Sequence, residues 1–143
     1  MDTTRGINLL THKIIGCCMQ VHRTLGNGFQ EVIYQRALAI EFAVEGIAFV
    51  REQEMEIFYR NQQIGTRRVD FFVENKVMVE LKAVSELEDV HKAQAINYLE
   101  TYGLAHGLLI NFGGISLDFK RVYNKNLSSP AYFGNTSKKQ ITE

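Results

Sequence analysis

Four residues of this 143-residue chain stand at spacings that could do chemistry: Glu31, Asp70, Glu80 and Lys82. Glu80 and Lys82 are two apart in a run from Val77 to Lys82 that alternates as a β-strand, so their side chains share a face. Upstream, Arg68 to Val73 alternates as well, with Val69, Phe71 and Val73 on one face and Arg68, Asp70 and Phe72 on the other. A loop of Glu74, Asn75 and Lys76 pairs Val73 with Val77 and therefore sets Asp70 opposite Glu80. Directly opposed residues project to one face with Cβ atoms about 5 Å apart. A two-residue loop would set Asp70 against Leu81 and place a charge among the apolar side chains, so the alternation favours the odd loop. Two carboxylates at that separation repel each other, and a hard divalent cation relieves the repulsion. A metal held there polarises a phosphoryl oxygen and lowers the pKa of a bound water, while a neighbouring ammonium orients that water or stabilises charge on phosphorus. The chemistry this set suits is metal-dependent phosphodiester hydrolysis. The plainer alternative is a solvated strand face with a cross-strand ion pair, with Glu31 serving only as an acid favoured near a helix N-terminus.

The elements that must position these residues follow from periodicity. Leu10, Ile14, Cys17, Cys18 and Val21 recur at helical spacing between about residues 7 and 25, and Gly26 to Gly28 ends that helix. A second helix spans about residues 29–45 with Ile33, Ala37, Ile40 and Val44 as its apolar stripe, and Gly46 closes it. Ile47 to Tyr59 reads as β, Asn61 to Gln63 as a turn, and two strands flanking Asn75 form the hairpin. Ser85 followed by Glu88 reads as a capping box opening a third helix that runs to about Tyr102, with Gly103 as its stop. His106 to Phe112 is an apolar strand expected to be buried on both faces, and Leu117 to Tyr123 is a further strand. One domain over residues 1–123 and a polar, loosely held tail over 124–143 are expected.

Composition excludes some classes. Sixteen basic residues balance sixteen acidic ones, so no global cationic field announces a nucleic-acid binder. The adjacent Cys17 and Cys18 cannot readily bridge each other and read as two buried thiols. No apolar run approaches the length of a membrane span and residues 1–6 show no secretory pattern, so a cytoplasmic protein is expected. Gly26 and Gly28 do not make a phosphate loop, since no strand precedes them and no Lys-Ser/Thr follows.

The aspartate strand followed by Glu80-Leu81-Lys82 resembles the PD-(D/E)XK nuclease superfamily, with Val69 in place of the usual proline before the aspartate. Gly28-Phe29-Gln30-Glu31-Val32-Ile33-Tyr34 fits a GxxExxY motif, and Gln94-Ala95-Ile96-Asn97-Tyr98 fits a QxxxY element of nuclease domains. Together with Leu108 to Gly113 and Lys120-Arg121, these segments are similar to the GxxExxY protein family from about Ile7 to Tyr123. The resemblance implies an α/β, restriction-endonuclease-like fold, with a small mixed central sheet flanked by helices. It also implies a Mg²⁺ or Mn²⁺ site in which Asp70 and Glu80 are direct ligands, the Leu81 carbonyl joins them and Glu31 is an outer ligand. Lys82 would be the catalytic lysine. Gln94 and Tyr98, one helical turn apart, would support the site or contact a DNA or RNA backbone, and Tyr34 would be core with its hydroxyl near Glu31. His22 reads as a packed or capping residue, His91 as a substrate contact or a structural one, and Arg68 as facing Lys82 across the hairpin. Two functions follow: a metal-dependent nuclease, or a non-catalytic module on the same framework that binds nucleic acid or a protein partner. The small size leaves little surface to clamp a duplex, so a homodimer or a partner is a further expectation.

Overall fold

The computed structural model describes residues 4–126. Three helices and five strands follow in the order α1 (Thr4–Leu25), α2 (Glu31–Val44), β1 (Phe49–Tyr59), β2 (Gln62–Val73), β3 (Val77–Lys82), α3 (Asp89–Tyr102), β4 (His106–Asn111) and β5 (Asp118–Tyr123). The strands form one sheet in sequence order, antiparallel throughout except for the central parallel pair β3/β4. A parallel pair needs a crossover, and α3 supplies it. The sheet is covered on both faces. Ile14, Cys18, Tyr34, Leu38 and Phe42 of α1 and α2 pack on Phe71, Val79, Leu81, Leu108 and Ile110. On the other face Ala95, Tyr98, Leu99 and Tyr102 of α3 pack on Val69, Met78 and Val122. Residues 107–111 of β4 are therefore buried on both sides, as the unbroken apolar run requires.

Several local expectations are corrected. α2 buries Tyr34, Leu38, Ala39 and Phe42, whereas Ile40 and Val44 of the expected stripe are 66% and 70% exposed. Both stripes have helical spacing, and turning the aromatic one inward covers more apolar area. The β1/β2 connection is only Arg60 and Asn61, both at positive φ, and Gln62 and Gln63 already pair in the ladder. α3 begins three residues later than a Ser85 cap implies. Its N-cap is Glu88, whose backbone N–H donates to His91 Nδ1 at 2.9 Å. The polar segment expected from Asn124 lies outside the described residues beyond Asn126, while Asn124 itself is buried and donates to the Leu99 carbonyl at 3.1 Å. The cysteines are buried on α1, and burial pushes the Cys17 thiol up to about 11.

The alternation of β2 also breaks. Phe71 and Val73 face α1 and α2, but Val69 faces α3. The inversion falls at Asp70, opposite Glu52 of β1, whose φ of 54° lies in the left-handed region. The β1/β2 ladder keeps one register across this point, with Arg51 beside Phe71 and Gln53 beside Val69, yet skips the pair between them. The left-handed residue lets the two strands twist past each other, so a strictly alternating pattern carries its apolar residues first to one layer and then to the other.

Candidate functional site

The β2/β3 hairpin has the register that its apolar pattern demands: Val73 pairs with Val77, Phe72 with Met78 and Phe71 with Val79. Glu74 and Asn75 turn the chain at φ 54° and 57°, and the Lys76 N–H donates to the Val73 carbonyl at 2.9 Å. One step further along this register stand Asp70 and Glu80, where the backbone ladder stops. The two carboxylates take over from it. The Asp70 N–H donates to Glu80 Oε1 at 3.1 Å, and the Leu81 N–H donates to Asp70 Oδ2 at 2.8 Å. Because a strand residue's N–H and C=O leave by the same edge, the Leu81 carbonyl lies on the side of Asp70.

α2 approaches from the other side. Gln35, buried at 7% exposure, donates through Nε2 to Asp70 Oδ1 at 2.7 Å and accepts from Arg51 Nε at 3.2 Å. Glu31 lies one turn earlier on the same helix face. It is electrostatically coupled to Asp70 and to Lys82. The start of α2 is pinned by Tyr34. Its hydroxyl donates to the Gly26 carbonyl at 2.6 Å and accepts the Phe29 N–H at 3.1 Å, and its ring stacks on Phe112 at 4.6 Å. The hydroxyl expected near Glu31 is hydrogen-bonded to the glycine turn, whose backbone groups need a partner that Tyr34 supplies.

Lys82 ends β3 at the edge of a cavity of about 530 Å³, lined by Glu80, Lys82, Arg67, His91, Gln94 and Asn97 among others. The segment after Lys82 is clamped by Asn111, 1% exposed, whose amide accepts the Val84 and Gly113 N–H groups at 3.0 Å each and donates to the Val84 carbonyl at 2.9 Å. A Cβ on Gly113 would lie 2.2 Å from the Val84 carbonyl oxygen, so only glycine allows this approach. Arg67 is fixed on the cavity wall, with its guanidinium 4.9 Å from the Tyr98 ring centre. It donates to the Asn97 side chain at 3.2 Å and to the Gln94 carbonyl at 2.8 Å. Gln94 faces the cavity, but Tyr98 is buried beneath Arg67 and reaches the cavity through it. His91 both caps α3 and lines the cavity. Arg68 does not face Lys82: the inversion at Asp70 turns it to solvent, where it pairs with Glu52 and Glu54 at 3.5 and 3.6 Å. His22 packs on Phe112, its Nε2 3.0 Å from the Gly114 carbonyl.

The electrostatics record burial first and crowding second. Burial, and then the Asp70 charge, push the Glu80 carboxyl up from 4.5 to about 7, against the opposing pull of Lys82 and Arg67. Burial likewise raises Asp70 above the ordinary carboxylate range despite its bonds from Leu81 and Gln35. Glu31 is raised by burial and by Asp70. Lys82 opposes all three shifts, which places the four groups in one field. Each carboxylate would lose this penalty beside a cation. Among the described residues no three Asp, Glu, His or Cys side chains close round a single point. Asp70 and Glu80 already spend oxygens on backbone N–H groups.

Two residues of this arrangement escape sequence reasoning. Gln35 adjoins the motif tyrosine and looks like any helix amide, although its place one turn after Glu31 carried the signal. Arg67 adjoins Arg68 and could not be told from it without knowing where the strand inverts.

No curated protein matches at a significant level. A solved crystal structure, that of SSO0001, is similar with a TM-score of 0.51 at 16% identity, which speaks for the fold alone; 76% of this chain is covered, and the chain spans 58% of the other's length. No helix among the described residues is long and apolar enough to cross a membrane. The family model of the PD-(D/E)XK nuclease superfamily matches residues 8–122, from early α1 to β5, and the chain belongs to that superfamily.

Proposed function

We propose that the chain is a metal-dependent nuclease that hydrolyses phosphodiester bonds of DNA or RNA, within the GxxExxY branch of its superfamily. The observation that carries this reading is the bonded pair of Asp70 and Glu80 on facing strands, with Glu31 and Lys82 in the same field: three carboxylates raised chiefly by burial, beside one lysine that opposes each shift. The donor set suits a hard divalent ion. Asp70, Glu80 and the Leu81 carbonyl would hold Mg²⁺ or Mn²⁺, with Glu31 as an outer ligand. Mg²⁺ commonly keeps several waters and takes only one or two protein carboxylates, so a complete cage of side chains is not required. When bound, such an ion supplies a polarised phosphoryl oxygen and a more acidic water.

The chain's own groups then divide the work. Gln35 and the Leu81 N–H fix the Asp70 carboxylate. Lys82, at the cavity rim, donates to the attacking water or to the phosphate oxygen that gains charge. Arg67 and Gln94 line the path of the nucleic-acid backbone, and Tyr98 keeps Arg67 in place. A cytoplasmic location and action as a homodimer or with a partner belong to the same reading.

A second reading draws on the bonds that occupy Asp70 and Glu80. A chain whose carboxylates serve mainly to finish a hairpin would be a binding module for nucleic acid or protein on a nuclease framework. Cleavage assays on single-stranded, duplex and branched oligonucleotides with Mg²⁺ and Mn²⁺ separate the two. The nuclease reading expects turnover that Lys82→Met abolishes while metal still binds, and that Glu80→Gln loses together with metal affinity. No cleavage by wild type under any metal condition, with nucleic-acid binding unchanged in both variants, favours the module.

A further inference from the structure

At the far end of α1 from the carboxylate site lies a second, open depression of about 730 Å³, lined by Arg5, Asn8, Leu9 and His12 of α1 and by Arg121 and Tyr123 of β5, with Thr4 at its rim. The helix residues recur at i, i+3, i+4 and i+7 and so form one stripe, and the strand residues are two apart and share a face. Arg121 is pre-set: its Nη1 donates to Thr11 Oγ1 at 2.9 Å, and that hydroxyl donates to the Asn8 carbonyl at 3.1 Å.

No acidic residue among the described ones lines the depression. Among the described residues no salt bridge reaches Arg5, His12 or Arg121, whereas Arg51 and Arg68 are paired with Glu52 and Glu54. In a chain with equal numbers of acidic and basic residues, two guanidinium groups and an imidazole thus gather round one concavity with no counter-charge among the described residues that line it. Like charges so placed repel unless an anion joins them. Guanidinium forks match phosphate oxygens in pairs, and the Tyr123 hydroxyl and Asn8 amide add neutral donors.

We propose that this depression is a phosphate-binding site separate from the carboxylate site. His22, near the other end of α1, contacts Gly114, which follows β4 on the side of Lys82. The 17 positions from Arg5 to His22 span about 25 Å of helix. A phosphate held here is therefore not the one that lies at Lys82. The phosphate belongs either to a nucleic-acid backbone, as a remote anchor for the strand, or to a small phosphorylated molecule.

The test uses the full chain in EDTA, so that it does not depend on cleavage. Inorganic pyrophosphate and a 20-nucleotide single-stranded DNA are titrated into wild type, Arg5→Ala/His12→Ala, Arg121→Lys and Lys82→Met. Arg5 and His12 are exposed on a helix surface, so their double variant keeps the fold. Saturable pyrophosphate binding is expected in wild type and in Lys82→Met, weaker by at least about tenfold in the double variant, as removal of charge-assisted hydrogen bonds implies. Arg121→Lys should fall between, since a lysine keeps charge but lacks the fork. If the source is nucleic acid, the double variant also weakens DNA binding, and its log K against log salt slope flattens by about 0.7 for each phosphate it no longer neutralises. If the source is a small molecule, DNA binding is unchanged. Absence of saturable binding of either ligand to wild type, or equal binding by wild type and double variant, overturns the proposal.

Discussion

Replacing Glu80 with glutamine should stabilise the metal-free protein at alkaline pH, contrary to the usual effect of altering a buried, bonded residue. The buried Glu80 carboxyl titrates at about 7 rather than 4.5. Between those values the unfolded chain has released the proton that the folded chain still holds, so wild-type stability falls as pH rises from 4.5 to about 7 and then levels off. Below 4.5 both states are protonated and the penalty vanishes. The gap corresponds to at most about 3 kcal/mol. Glutamine keeps an oxygen to accept the Asp70 N–H, but a neutral acceptor is weaker by about 1 kcal/mol. A net gain of about 2 kcal/mol at pH 8 remains, or roughly 4–8 °C in Tm for a domain of this size. Thermal melts in EDTA at pH 5 and pH 8 measure it. The curves of wild type and Glu80→Gln should approach each other at pH 5 and separate at pH 8 with the variant higher. With saturating Mg²⁺ the order should reverse, because wild type gains the ion's binding energy and the variant lacks the charge to hold it. A Glu80→Gln protein less stable than wild type at pH 8 in EDTA, or a separation independent of pH, would refute the conclusion that burial and the Asp70 charge hold the Glu80 carboxyl up.

Three further outcomes follow from the same geometry. Mg²⁺ or Mn²⁺ should raise the Tm of wild type but not of Asp70→Ala, and an equal rise in both would remove Asp70 from the ion's ligands. Gln35→Leu should cost about 1–3 kcal/mol by urea denaturation, because Asp70 Oδ1 and the Arg51 guanidinium lose their bridge, and it should weaken Mn²⁺ affinity about tenfold or more by calorimetry. An unchanged Mn²⁺ affinity would leave Gln35 a purely structural amide. Glu52→Gly should stabilise the fold by about 1 kcal/mol, since glycine takes the left-handed φ of 54° without strain, whereas Glu52→Val should destabilise it; the same denaturant titration reads both.

What the sequence determined by itself is whatever local periodicity and turn chemistry control. The register of the β2/β3 hairpin was legible because a strand's side-chain period is two and a slip of one residue would have buried Asp70 among valines. The crossover helix between β3 and β4 and the doubly buried β4 were legible from run length and apolar content. The candidate site residues were legible as an ordered motif, down to Glu31 one turn before a residue that proves to hold Asp70. Only the tertiary structure decided which of two equally spaced stripes of α2 turns inward, because the choice depends on the sheet face it meets. It also decided that β2 changes faces at Asp70. That inversion arises from Glu52 on a neighbouring strand, 18 positions away in the chain, and no pattern within β2 records it. The same inversion sends Arg67 to the cavity and Arg68 to solvent, and it aims the Asp70 carboxylate at the Leu81 N–H and at Gln35 together. Two adjacent arginines of like propensity carry no local signal of their different fates, since the twist that separates them is a property of paired strands.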